Sequence, residues 1–378
     1  MIPLSLYVHW PWCLKKCPYC DFNSYSKSQK DIPEERYVDC LKKAFLHQLP
    51  WVKDRTIETI FFGGGTPSLM KASSIESILS FISQNAQISS TAEITLEANP
   101  GTLNSESYRA FRQSGINRLS IGVQSFDDRK LQCLGRIHSK EVALTAIREA
   151  QQEFDNINID LMFGLPTQGL EDLCSDLSLA VSMNSTHLSY YQLTIEPQTM
   201  FAKRPPLNLP SIDLIDQMQE KIETETSKQN FDHYEVSGYA KPGRYCRHNL
   251  NYWEFGDYLG VGPGAHGKIT YGNKIFRTVS FSHPKKWMNS VESSGGGIKE
   301  KYSVIPENLP FEFMLNILRL RKGASKELWE ERTLLPWSVV EEKWNQGVKQ
   351  KLLEPAENRL QTTPLGWQFL NNAQEIFL

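Results

Sequence analysis

The chain lacks an excess of charge of either sign: 41 Lys and Arg stand against 43 Asp and Glu, a formal net charge of −2. Without a global basic field there is no electrostatic footprint for nucleic acid or an anionic membrane, so nucleic acid is not expected as a partner. No apolar run approaches the ~18 residues that a membrane-spanning helix needs. The opening residues MIPLSLYVHWPWC hold no charged leader, no long apolar stretch and no small-residue cleavage site, which argues against a secretory signal and for a cytoplasmic protein. Repeats of fixed period and low-complexity tails are also missing. The seven cysteines are an odd number in a long chain, a poor match to a disulfide framework and a better one to reduced thiols. What is present suits a globular protein: 378 residues, 40% of them hydrophobic and 22% charged. At about 150 residues per domain, that length allows two or three domains, or one large barrel with an appendage.

Residues 1–240 alternate short β-rich runs with amphipathic helical runs. Strands are expected at Leu4–Trp10, Ile57–Phe62, Glu93–Ala98, Asn117–Val123, Ile157–Phe163 and His187–Leu193, each followed by helical periodicity. The first helix should be capped by Asp31, opened by Pro33 and run to about His47. Six such units predict an α/β fold, a parallel sheet closed into a full or partial (β/α)6 barrel with its chemistry at the strand C-termini. Residues 241–305 read as a Gly- and aromatic-rich connecting segment, with a hairpin GKITY-GN-KIFRTVS turning at Gly272-Asn273. Residues 306–378 suggest three helices, a hairpin over LLEPAENRLQTT and a last helix, the order of a winged-helix-like α+β domain. From Pro310 onward nine Lys and Arg balance nine Asp and Glu, which leaves no DNA-binding footprint and points to a structural or partner-docking role.

Cys13, Cys17 and Cys20 form a C-x3-C-x2-C triple immediately after the first expected strand. Structural zinc is the plain alternative, but it usually takes four protein ligands in paired spacings, and no second pair follows. Three thiolates on a tight loop suit a 4Fe-4S cubane with one iron left open, and an open metal position marks a site that binds something else. Cys40, Cys133 and Cys174 fall within helical patterns and read as core, and Cys246 as a buried spectator.

The segment LYVHWPWCLKKCPYCDFNSY resembles the cluster loop of the radical S-adenosylmethionine (SAM) superfamily, in which SAM chelates the open iron through its amino and carboxylate groups. FFGGGTPS at Phe61–Ser68 resembles that family's GGGTP segment, and LEANPG, RLSIGVQSF, LGRIHS and NIDLMFGLP follow in the family's order. The resemblance implies a SAM site lined by Tyr7, Tyr19, Gly64, Gly65, Thr66, Glu97, Gln124, Arg136 and Asp160. The chemistry is compatible with it. Arg136 can grip a carboxylate bidentately, and Glu97, Gln124 and Asp160 suit ribose hydroxyls and an amino group. Gly63 to Gly65 permit close backbone approach, so that amides and carbonyls can face a small polar ligand.

Over nearly the whole chain the resemblance is closest to the HemW-type heme chaperones, relatives of the oxygen-independent coproporphyrinogen III dehydrogenases. Those dehydrogenases carry a fourth cysteine two residues after the third, where this chain has Phe22. The resemblance therefore implies a protein that binds heme and hands it to acceptor proteins, those of the respiratory chain among them, with no catalytic residue assigned. The alternative is a coproporphyrinogen dehydrogenase working through a 5′-deoxyadenosyl radical. HNLNYW matches the family's heme-associated H-N-x-x-Y-W pattern at His248, Asn249, Tyr252 and Trp253. An imidazole can ligate iron and two aromatic faces can cover a macrocycle, although these aromatics could equally pack the barrel's open end while His248 bonds a loop. His266 in GPGAHG is a second ligand candidate.

Overall fold

The computed structural model describes residues 2–52 and 54–378. Nearly continuous apolar runs become strands buried on both faces, as a parallel sheet covered by helices requires. Leu4–Trp10 (β1), Thr56–Gly64 (β2), Gln87–Ala98 (β3), Arg118–Gln124 (β4), Ile157–Phe163 (β5) and His187–Gln192 (β6) pair in parallel, each with the next. All six expected strands are present, and β3 begins at Gln87 rather than Glu93. Helices between them bury one face. On Ala72–Asn85, for example, Ile75, Ile78, Leu79 and Ile82 recur at three- and four-residue spacing and are all buried. The expected Asp31 cap is not made. Asp31 lies in a separate 3₁₀ turn, and Glu34–Gln48 starts after Pro33 without a side-chain cap.

The barrel does not close. Asp232–Glu235 (β7) and Gly238–Ala240 (β8) extend the sheet antiparallel beyond β6. On the other side Asp257–Val261 (β9) pairs in parallel with β1, followed by antiparallel His266–Tyr271 (β10), Lys274–Ser280 (β11) and Ile298–Ser303 (β12). The sheet order is β12-β11-β10-β9-β1-β2-β3-β4-β5-β6-β8-β7. The Gly- and aromatic-rich segment thus supplies a further parallel strand beside β1, and its hairpin turns at Gly272-Asn273 as expected.

A buried ionic group holds β9 in place. Asp257 accepts from Arg55 at 2.8 Å, from Lys268 at 3.0 Å, and from the Thr270 amide and hydroxyl at 2.9 Å each. Asp257 is 0% and Lys268 1% exposed. Burial opposes the Asp257 charge, but Lys268, Arg55 and the Thr270 amide outweigh it and hold the carboxyl below its ordinary range.

The C-terminal region has helices Leu309–Ile317, Glu327–Thr333 and Glu341–Lys349, then a hairpin in which Leu353 faces Thr362. The helix expected last is broken at Phe369 into Pro364–Gln368 and Leu370–Glu375. Its core, around Phe313, Trp329 and Trp344, takes in Phe255 and Ile275 from beside and within the sheet, so this region is packed against the barrel's added strands. No helix among the described residues is long and apolar enough to cross a membrane.

Candidate functional site at the strand ends

The cysteine loop leaves the end of β1 and is closed by a two-residue pairing of Trp12–Cys13 with Tyr25–Ser26. Cys13 is buried, Cys17 and Cys20 are half-buried, and all three are free thiols. Burial pushes the Cys13 and Cys20 thiols up, against the pull of hydrogen bonds from Ser24 and Ser26. Protonated thiols have nothing to draw them together, and among the described residues no group of Cys, His or carboxylate side chains forms a finished metal ligand set. The loop nonetheless has a cationic neighbour. Arg136 places Nη1 3.7 Å from Cys17 Sγ and donates from Nη2 to the Gly122 carbonyl at 2.6 Å, while its buried Nε has no partner. The open N–H is a donor left for an anionic ligand. Of the remaining cysteines, Cys40 and Cys246 are buried, whereas Cys133 is exposed and Cys174 half-buried, so the reading of all helical cysteines as core holds only for Cys40.

The glycine segment at the end of β2 docks on this loop. Gly64 sits at φ +118°, where a Cβ would meet His9 and the Trp10 carbonyl at 2.7 Å. Its amide donates to Glu97 at 3.0 Å, and the amides of Gly65 and Thr66 donate to the carbonyls of Trp10 and Trp12 at 2.7 and 2.8 Å. The expectation that these amides face a ligand is thereby corrected: the Gly64 amide is taken by Glu97 of β3, and those of Gly65 and Thr66 join the segment to the loop. Around the mouth, Asp160 accepts from Ser120 at 2.8 Å and Asn158 at 2.7 Å, and Gln124 ends β4 at φ +73°. Tyr19 lies beside Arg136 and Cys17. Burial, with Asp160 nearby, pushes the Glu97 carboxyl up to about 8 against the Gly64 amide. Its site thus favours the protonated acid at the mouth.

HNLNYW forms the short helix Arg247–Trp253, whose first amides dock on Glu93: Arg247 N donates at 3.2 Å and His248 N at 3.1 Å. His248 is 1% exposed and both its ring nitrogens are engaged, Nδ1 with Thr59 at 2.7 Å and Nε2 with the Tyr252 hydroxyl at 2.9 Å. Thr59 gives its own proton to Ser5, so it accepts from Nδ1–H, and the imidazole is neutral. Burial, then Arg118, pushes it down to about 3. Ser5, Thr59 and Glu93 form one register layer of the sheet; Tyr7 and Phe61 lie two residues further along and pack between His248 and the mouth. His248 as placed therefore offers no lone pair to a metal at the mouth, contrary to the expectation from the motif. Tyr252 and Trp253 do face a cavity, while Asn249 does not line it.

That cavity, about 550 Å³, is lined by both groups of candidates, Tyr7, Gly64 and Glu97 together with Tyr252, Trp253 and Phe22. Phe22, 57% exposed, stands where the cysteine loop ends. The sequence reading missed Tyr258, Arg277 and Asn316, which also line it. Tyr258 packs edge-on against Tyr252 at 4.6 Å and its hydroxyl accepts from Arg277 at 2.9 Å, whereas Asn316 arrives from the C-terminal domain, for which no local signal exists.

A three-cysteine loop after the first strand of a partial βα barrel, docked on a glycine segment after the second, defines a radical SAM protein, and residues 7–180 match the Radical SAM superfamily while 304–369 match the HemN C-terminal domain. The chain belongs to the HemW family of heme chaperones. It is 44% identical over 377 residues to the heme chaperone HemW of Buchnera aphidicola subsp. Schizaphis graminum and 41% over 378 residues to that of Escherichia coli (strain K12), covering 100% of this chain and 98% of each relative. The mitochondrial Radical S-adenosyl methionine domain-containing protein 1 of Mus musculus is 37% identical over 345 residues, 89% of this chain and 78% of its own. Coproporphyrinogen III oxidase (HemN) from Escherichia coli, a radical SAM enzyme, superposes with a TM-score of 0.84 over 100% of this chain and 90% of its own at 22% identity, a likeness of fold.

Proposed function

We propose that this chain holds a 4Fe-4S cluster on Cys13, Cys17 and Cys20, binds SAM beside it, takes heme as cargo into the adjoining cavity and passes it to acceptor proteins. The carrying observation is the continuity of one cavity from Gly64 and Glu97 to Phe22, Tyr252 and Trp253. Its volume lies in the range of small-molecule sites. Flat aromatic faces suit a macrocycle, and each such side chain contributes ~1.5–3 kcal/mol when fully buried.

When bound, the cluster offers one iron to the amino and carboxylate groups of SAM. The chain's own part is to orient them. The open Nε–H of Arg136 suits the carboxylate, and Glu97 suits the amino group as an acceptor. An amino group that ligates iron is a neutral amine, so it donates an N–H to Glu97 rather than pairing with it as a cation. Glu97→Ala is expected to weaken SAM binding by the ~0.5–1.5 kcal/mol typical of a hydrogen bond, read by calorimetry on reconstituted protein. Unchanged SAM affinity in that variant removes Glu97 from the amino site.

HemW membership and Phe22 at the loop's end favour the chaperone over the dehydrogenase. Anaerobic reconstitution followed by parallel assays tests this: hemin binding near one per chain, and little or no protoporphyrinogen from coproporphyrinogen III with SAM and a reductant. Vigorous protoporphyrinogen formation would reverse the order of the two readings.

A further inference from the structure

Three histidines approach the aromatic cavity, and they differ in what their ring nitrogens are doing. His9 lines it, but its Nδ1 is bonded to the Tyr7 hydroxyl at 3.0 Å and its Nε2 to the Asn23 carbonyl at 2.9 Å. His248 lies a layer below, with both nitrogens engaged by Thr59 and Tyr252. His266 lines the cavity, is exposed, and has no hydrogen-bond partner on either ring nitrogen among the described residues.

We infer that His266, rather than His248, supplies the protein ligand to the iron of heme bound in this cavity. The inference rests on the chaperone reading above and deepens it.

The local structure holds His266 in position before any cargo arrives. It begins β10, where its backbone pairs with Val279 of β11, so its Cα is fixed by the sheet. The turn before it is tied to the cysteine loop: Asn23 donates from one amide nitrogen to the carbonyls of Pro263 and Ser282, both at 2.9 Å. Gly264 at φ +78° allows this, since a Cβ there would meet Asn23 Nδ2 at 2.5 Å. His266 therefore shares the cavity with Phe22, Tyr252 and Trp253, an imidazole among flat apolar faces. Burial and Arg277 lower its affinity for a proton, which keeps it in the neutral form that metals take. No other side chain lining the cavity brings a free imidazole, thiol or thioether among the described residues. On binding, one imidazole nitrogen donates its lone pair to ferric iron, and the water or chloride on hemin leaves; the iron's oxidation state does not change.

The test titrates full-length wild-type, His266→Ala and His248→Ala proteins with hemin and, in parallel, with iron-free protoporphyrin IX. Only hemin can use a coordinate bond, whereas both macrocycles use the aromatic walls. For His266→Ala the expected result is a loss of hemin affinity of about tenfold or more with a shifted Soret band, protoporphyrin IX affinity within about twofold, and recovery of the band on adding imidazole. For His248→Ala the expected result is a lower unfolding temperature with the Soret position kept. An unchanged hemin spectrum and affinity in His266→Ala overturns the assignment, as does an equal loss for both macrocycles. Wild-type protein that binds neither overturns the chaperone reading itself, and this assignment with it.

Discussion

Cys17→Ala is expected to leave anaerobically reconstituted protein colourless, with iron and sulfide falling from the about four per chain that a cubane implies to a small residue. Cys17 is the most informative of the three. It is half-buried, so its removal opens little core, and it is the sulfur that Arg136 approaches at 3.7 Å. Cys13 is buried, and Cys13→Ala would mix metal loss with a packing defect. Circular dichroism should show Cys17→Ala folded. Full iron and sulfide in that variant would remove the loop as the cluster site, and one tightly held zinc in place of iron would return the structural-zinc alternative.

Asp257→Ala should lower stability by about 3–5 kcal/mol, because it strands Lys268 as a buried charge and deprives Arg55 of its partner. Urea unfolding measures the loss. A double variant, Asp257→Leu with Lys268→Met, removes both charges and should recover much of it, since apolar replacement of a whole buried pair is often neutral. A single variant as stable as wild type would show that the network carries no weight. The same carboxylate also gives the pH response its sign. Its proton affinity is lower folded than unfolded, so its contribution is complete above the ordinary carboxylate range and is lost as pH falls through the depressed folded value.

Strands β1 to β6 were legible because each is an apolar run long enough to be buried on both faces, and the cysteine triple because its spacing is local. β9 was not. GDYLGV is broken by glycines and borders GPG, and its partner is β1, with Leu4 opposite Asp257, a pairing that no local pattern encodes. HNLNYW was visible as a motif but its depth was not. His248 and Tyr252 are four apart and share a helix face, which hints that they bond each other, yet the burial comes from Thr59 and Glu93, far away in the chain. The glycine segment misled in a different way: its amides already had partners in Trp10, Trp12 and Glu97, all outside the segment itself.

Asn23 leaves the cysteine loop and the turn before His266 as one mechanical unit, with Nδ2 bridging Pro263 and Ser282. If metal and cargo occupy the places proposed for them, a shift of the loop on metal capture reaches the turn through that shared anchor. Reciprocity would then hold between the two occupants: whatever free energy a loaded loop lends to cargo in the cavity, bound cargo would return to the retention of metal.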